Sequence, residues 1–255
     1  MCMSSLSDNS FSGFFKNIPT VTRHLLIINV LFWLACIAFK RNGVDILGSY
    51  SLHYWGSSAF HPVQFITYMF LHAPFPRIEH ILFNMFSLFM FGRVLEMYWG
   101  PKFYLFFYIV TGLFAGLTQE LTWMYDLRPL FDLANEPVPF VLDGTLFYDS
   151  QDAIIYMYGC DLNTLLCKYQ TVGASGAIFG LLTAFAMKFP NHPIYLYFIP
   201  IPIKAKYAMI GIAVLELVLG VSSFADGIAH YAHLGGALGG VLLVLWWNKF
   251  YIPKR

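Results

Sequence analysis

A serine sits among small residues in VGASGAIFG, residues 172–180, and a histidine stands in GIAHYAHLGG, residues 227–236. A hydroxyl becomes a nucleophile when a base takes its proton, and a neutral imidazole suits that task near pH 7. Ser175 follows the charge of Lys168 by seven residues, and His233 follows Asp226 by the same interval. At 1.5 Å per helical residue, each lies about 10 Å beyond its charged marker. A third polar group, EHILFNMF, sets His80 and Asn84 four residues apart, on one helix face. Attack on a carbonyl leaves negative charge on its oxygen. The Ser175 N–H at a helix N-terminus, with Asn84 and His80, could donate hydrogen bonds to it. No carboxylate is expected at that depth, which predicts a Ser175–His233 dyad and not a triad. Glu216, in VLELVLG, reads as a mid-membrane residue with a structural bond to a neighbouring helix, a proton relay being the other reading, and His230 as a residue on the His233 face.

The elements that must position these groups are membrane helices. The chain is 58% hydrophobic and 11% charged, with a mean hydropathy of +0.61, which is far from a soluble domain of this length. Six apolar segments predict an all-α polytopic bundle: Val21–Phe39, Ile78–Met97, Phe103–Leu121, Thr171–Met187, Tyr207–Ser223 and Gly227–Asn248. The second and third read as short for a crossing. With the N-terminus inside, Lys16, Arg23, Arg93, Lys102, Lys188, Lys204, Lys206, Lys249, Lys254 and Arg255 are cytoplasmic and five basic residues are not, following the positive-inside rule. Residues 1–20 then form a short cytoplasmic segment, 21–248 the membrane domain and 249–255 a cytoplasmic tail. An acidic external insertion over about 122–170 separates the third and fourth spans. FIPIPIKAKY, with Pro200 and Pro202, predicts an irregular inner turn. Gly176 with Gly180, and Gly236 with Gly240, are small residues one turn apart that let two helix backbones approach.

GASG at Gly173–Gly176, AHLGG at Ala232–Gly236 and HILFN at His80–Asn84 together resemble the rhomboid family of intramembrane serine proteases. The similarity continues through GRVLEMYWG and FIPIPIKAKY, from about Thr67 onward. It implies a six-transmembrane-helix rhomboid-like bundle with a site opening outward. Ser175 matches the family nucleophile, His233 its base, and His80 and Asn84 its oxyanion-stabilising side chains. Gly173 matches the glycine two before the serine. Phe179 stands where many members have a tyrosine against the histidine ring, which keeps the stacking surface without its hydroxyl. A Trp-Arg pair common in the first external loop is missing, and the insertion is longer than in compact members.

The resemblance and the residues that carry it imply a serine endopeptidase that cuts transmembrane segments of other proteins near their outer ends, favouring helices weakened by Gly or Pro. The alternative is a catalytically inactive rhomboid-like factor that binds membrane proteins for quality control. The partners expected are such substrates and the lipid bilayer. Balanced charge without a Lys/Arg run excludes nucleic acid. No cofactor or metal is expected, since there is no HExxH, and the proposed spans lack the two aspartates of an aspartyl mechanism. No repeat between the halves suggests a transporter. An external insertion would lie in an oxidising compartment, which permits a disulfide between Cys160 and Cys167; two free buried thiols are the other reading. The expected location is a bacterial cytoplasmic membrane with both termini inside.

Overall fold

The computed structural model describes residues 17–195, 201–222 and 228–251. Lys16, Pro200, Ser223, Asp226, Gly227, Lys254 and Arg255, which carried parts of the sequence reading, lie outside them. The described chain is mostly helical. Its long helices are α1 (Thr20–Lys40), α2 (Ile78–Trp99, with a π-helical turn at Leu88–Gly92), α3 (Pro101–Asp126), α4 (Ser175–Lys188), α5 (Ala205–Val221) and α6 (His230–Tyr251). Among the described residues, α1, α2 and α3 are long and apolar enough to cross a membrane. This corrects the expectation that the second and third segments are the short ones: they run 22 and 26 residues, whereas α4 has 14 and α5 has 17.

The start of α1 is fixed by a carboxylate from another helix. Glu96, near the end of α2, accepts from the Val21 N–H at 2.8 Å, the Thr22 N–H at 2.7 Å and the Thr22 hydroxyl at 2.8 Å. The first N–H groups of a helix lack intrahelical acceptors and carry partial positive charge, so an anion there both satisfies donors and complements the dipole. The turn from α2 to α3 is a single residue, Gly100, at φ +80°. Pro101 then opens α3 with its φ already set for a helix.

Helix α4 lies at the centre. Nine of its fourteen residues are buried, from Gly176 to Ala186, and its composition is apolar all round, as a helix enclosed by protein requires. A Cβ added to Gly176 would stand 2.4 Å from the Ala115 Cβ, and one at Gly180 2.5 Å from the Thr111 Cβ, both on α3. On the other side, a Cβ on Gly236 would meet the Gly176 carbonyl oxygen at 1.9 Å, and one on Gly240 the Gly180 oxygen at 2.7 Å. Helices α4 and α6 therefore touch backbone to backbone, which brings the residues around Ser175 and His233 within side-chain reach. By contrast α5 buries only Ala205 and Ala208 among its helical residues, and leaves Ile210, Val214 and Val218 exposed along one stripe.

The segment between α3 and α4 is structured. A helix at Arg128–Ala134, a hairpin of β2 (Phe140–Leu142) with β3 (Thr145–Phe147), and helices at Ser150–Tyr158 and Leu162–Leu166 follow one another. Tyr54, Trp123, Leu127, Leu130, Ile154 and Leu166 give it an apolar core of its own, shared with the end of α3. Its last residues, β4 (Gln170–Thr171), pair antiparallel with β1 (Leu52–His53) from the α1–α2 connection. The segment thus returns the chain to the start of α4 along a fixed path. The expected fourth span, Thr171–Met187, therefore begins as strand, and the helix starts at Ser175.

Cys160 and Cys167 are free thiols, the second of the two readings, but half-buried and not buried. Each has a separate polar neighbour: Lys168 donates to the Cys160 sulfur at 3.4 Å, while the Cys167 sulfur lies 3.7 Å from the Ser58 hydroxyl. The Asp161-capped helix between them holds them apart in these settings.

Candidate active site

Ser175 is the first residue of α4, where helical N–H groups point out of the helix end without intrahelical acceptors. Two backbone restraints deliver it there. The Tyr54 N–H donates to the Tyr169 carbonyl at 2.9 Å, and the Gly173 N–H to the Tyr68 carbonyl at 3.0 Å. Gly173 has φ +134°, a conformation that side-chain-bearing residues rarely adopt, and a Cβ there would lie 3.0 Å from the His80 Nε2 and 3.4 Å from the Ser175 Oγ. Glycine at this position keeps open the space between the serine and His80.

The Ser175 Oγ lies 2.9 Å from the His233 Nε2. Phe179, one turn along α4, stacks on the His233 ring with centroids 4.2 Å apart and planes 6° from parallel. The imidazole is therefore held on its face by an aromatic and at one edge by the hydroxyl. Ser175, His233 and His80 border one cavity of about 780 Å³. The charged side chains that line it, Lys40 and Arg77 with Asp45 and Glu79, are of both signs.

The tautomers follow from the partners. The Ala73 N–H donates to the His80 Nδ1 at 3.2 Å, so the neutral ring carries its proton on Nε2, the nitrogen on the Gly173 side. His80 is thereby a donor towards the space beside Ser175. Asn84 is buried and donates from Nδ2 to the His80 carbonyl at 2.7 Å, and it is not among the residues bordering the cavity. The structure brings Ser175, His233 and His80 to one space and sets Asn84 behind them.

One expectation is overturned. The Glu216 Oε2 lies 3.0 Å from the His233 Nδ1 and 2.6 Å from the His230 Nδ1. A carboxylate does stand at the depth of the serine, and it touches the residue read as a lone base. The reason is where α5 ends. The helix stops at Val221, so Glu216 is five residues from that end and not at its middle. The three side chains offer donor atoms within 4.8 Å of one another, a composition that also suits a divalent metal. Yet two ligands on one tetrahedral zinc stand about 3.3 Å apart, from Zn–N and Zn–O bonds near 2.0–2.1 Å. The 2.6 and 3.0 Å separations are those of hydrogen bonds.

His72 completes the surroundings. It is buried beside His80, with ring centroids 5.2 Å apart. Burial, reinforced by His80, pushes its pKa down to about 3, so it adds no positive charge to the site. Nothing in the sequence motifs had singled it out.

A model of the Rhomboid domain matches residues 59–131 and 145–249, more than half of the chain. The chain belongs to the rhomboid family. A comparison with curated proteins gives no match. Family membership and the apolar helices make this rhomboid an integral membrane protein of an intramembrane protease-type family, one that acts on membrane proteins within the bilayer. Within the matched range the gap, residues 132–144, runs from the end of the Arg128–Ala134 helix through β2 and its turn, and the match resumes at β3 and carries through to α6.

Proposed function

We propose that this rhomboid is an active serine endopeptidase that hydrolyses peptide bonds in or near transmembrane segments, with Ser175 as nucleophile and His233 as general base. The observation that carries the reading is the 2.9 Å contact between the Ser175 Oγ and the His233 Nε2 at the edge of the cavity that His80 also borders. The Oγ attacks the scissile carbonyl carbon while its proton passes to Nε2. The carbonyl electron pair moves onto oxygen, where the Ser175 N–H and the His80 Nε2–H donate to it, while Asn84 holds the His80 carbonyl from behind. Collapse of that intermediate breaks the C–N bond, and Nε2 returns the proton to the leaving amine. Water entering through the cavity then hydrolyses the acyl-enzyme by the same steps.

Six crossings, with both termini on the cytoplasmic side of a bacterial membrane, would place the cavity towards the outer leaflet. A substrate helix hides its carbonyls in internal hydrogen bonds and must unwind to present one, so Gly or Pro near the cut favours cleavage. No cofactor is invoked. The test is a single-span reporter offered in detergent to wild type and Ser175→Ala. Loss of cleavage in the variant supports the reading. Equal cleavage removes Ser175 from its role, and a folded wild type that binds the reporter without cutting it points to a binding factor.

A further inference from the structure

The bond between Glu216 and His233 goes beyond the pair of groups that the protease reading needs. We propose that Glu216 is a positioning residue for His233, making the site a Ser175–His233–Glu216 relay in which His230 anchors the carboxylate. This deepens the protease reading and rests on it.

The geometry runs in a line from α4 through α6 to α5. The Ser175 Oγ is 2.9 Å from Nε2, and on the far side of the same ring Nδ1 is 3.0 Å from the Glu216 Oε2. A carboxylate only accepts, so the Nδ1 that faces it carries the proton, and Nε2 keeps its lone pair for the serine O–H. Glu216 thereby selects the tautomer that a general base needs and faces the imidazolium formed when that base takes the proton. The proton from Ser175 stays on Nε2, the Nδ1 proton stays where it was, and the carboxylate remains ionised throughout.

His230 has a defined part. Its Nδ1 lies 2.6 Å from the same oxygen, and its ring stands nearly perpendicular to that of His233, at 87°. Two donors from successive turns of α6 converge on one oxygen and fix it laterally. The Glu216 side chain is 13% exposed on a helix whose neighbouring side chains mostly face outward. A carboxylate with that burial needs charge-assisted partners, and these two rings supply them.

A purely structural role, clamping α5 to α6, predicts that any side chain that keeps the helices together preserves turnover. A positioning role predicts otherwise. The experiment measures kcat and KM for reporter cleavage in wild type, Glu216→Gln, Glu216→Asp and Ser175→Ala, with thermal unfolding of each in the same detergent. Gln keeps shape and polarity but can face Nδ1 with its amide and favour the wrong tautomer. Glu216→Gln is expected to lower kcat roughly 100-fold or more with KM nearly unchanged, the pattern of a lost triad carboxylate. Glu216→Asp is expected to regain at least about tenfold of that loss, because it restores the acceptor. A kcat for Glu216→Gln within about threefold of wild type overturns the proposal, as does an Asp variant no better than Gln. Activity removed by a chelator and restored by zinc overturns it too, since the three groups would then be a metal centre. If the Gln variant does not fold, low-field proton NMR of wild type and Ser175→Ala decides. Both should show an imidazole N–H resonance from the carboxylate-bonded Nδ1, and its absence overturns the proposal. Cleavage lost in Ser175→Ala but retained in Glu216→Gln ends this inference and leaves the protease reading standing. Equal cleavage by Ser175→Ala and wild type ends the reading itself.

Discussion

Replacing Gly236 with alanine tests how closely α4 and α6 must approach for the site to exist. The new Cβ would stand 1.9 Å from the Gly176 carbonyl oxygen, and real Cβ atoms essentially never come within 3.0 Å of another heavy atom. The obstacle is backbone, which has no rotamer to change, so the helices must separate by about 1.1 Å or the crossing must tilt. Overpacking of this kind costs about 1–3 kcal/mol, and an unyielding backbone contact belongs at the upper end. His233 is three residues earlier on α6, and a separation along its bond to Ser175 would stretch 2.9 Å to roughly 4 Å, beyond a hydrogen bond. A misplacement of about 1 Å costs on the order of 100-fold in rate. Gly236→Ala should therefore unfold at lower temperature in detergent and cleave a single-span reporter about 100-fold more slowly. Gly211→Ala, on the exposed part of α5 with nothing within 4 Å of the added Cβ, is the control. It should be neutral, or stabilising by up to about 1 kcal/mol from helix propensity. A Gly236→Ala protein with wild-type unfolding and wild-type turnover would refute the reasoning, as would equal damage from the two substitutions.

The same contacts set further outcomes. Phe179→Ala removes the ring stacked on His233, a contact worth about 0.5–1.5 kcal/mol, so kcat should fall several-fold, while Phe179→Tyr should stay near wild type in the same reporter assay. His80→Ala, which deletes the Nε2–H donor beside Gly173, should lower kcat about 10²- to 10³-fold without unfolding the protein; retention of full kcat would exclude His80 from oxyanion binding. Glu96→Ala leaves the Val21 and Thr22 N–H groups at the start of α1 without their acceptor, and should cost about 2–4 kcal/mol of stability by thermal unfolding. Cys160 and Cys167 should both react with a maleimide without prior reduction, each adding one label by mass spectrometry, because both are free and only partly buried.

The sequence carried the helices and most of the site because membrane helices make depth countable. Charges mark where an apolar run begins, and counting from them set Ser175 and His233 at one level before any coordinates. The small residues at 176, 180, 236 and 240 then implied the close approach of two backbones, and the structure has that approach. Glu216 makes the bond to a neighbouring helix that its sequence setting suggests, but its place along the helix differs from the expected one although the same arithmetic applies to it. It precedes Ser223, the last residue of its apolar run, by seven residues, the interval that separates Ser175 from Lys168. In the six-span reading this run goes outward, so its count is taken from its end. Two features were not legible. The boundary of α4 depends on the β1–β4 pairing, which joins residues 52–53 to 170–171, and no local pattern reveals so distant a partner. The small core of the α3–α4 segment likewise gathers Tyr54 with Ile154 and Leu166, far apart in the chain. Two cysteines on a segment that reads as external allow a bond, which the separate settings of their side chains do not make.

The most direct measurement of the central claim is covalent labelling of the folded protein by a serine-directed fluorophosphonate, with the modified residue located by mass spectrometry. A Ser175 activated by His233 predicts a single label on Ser175, absent in Ser175→Ala and strongly slowed in His233→Ala. A label on another residue, or one that forms at the same rate without the His233 imidazole, would contradict it.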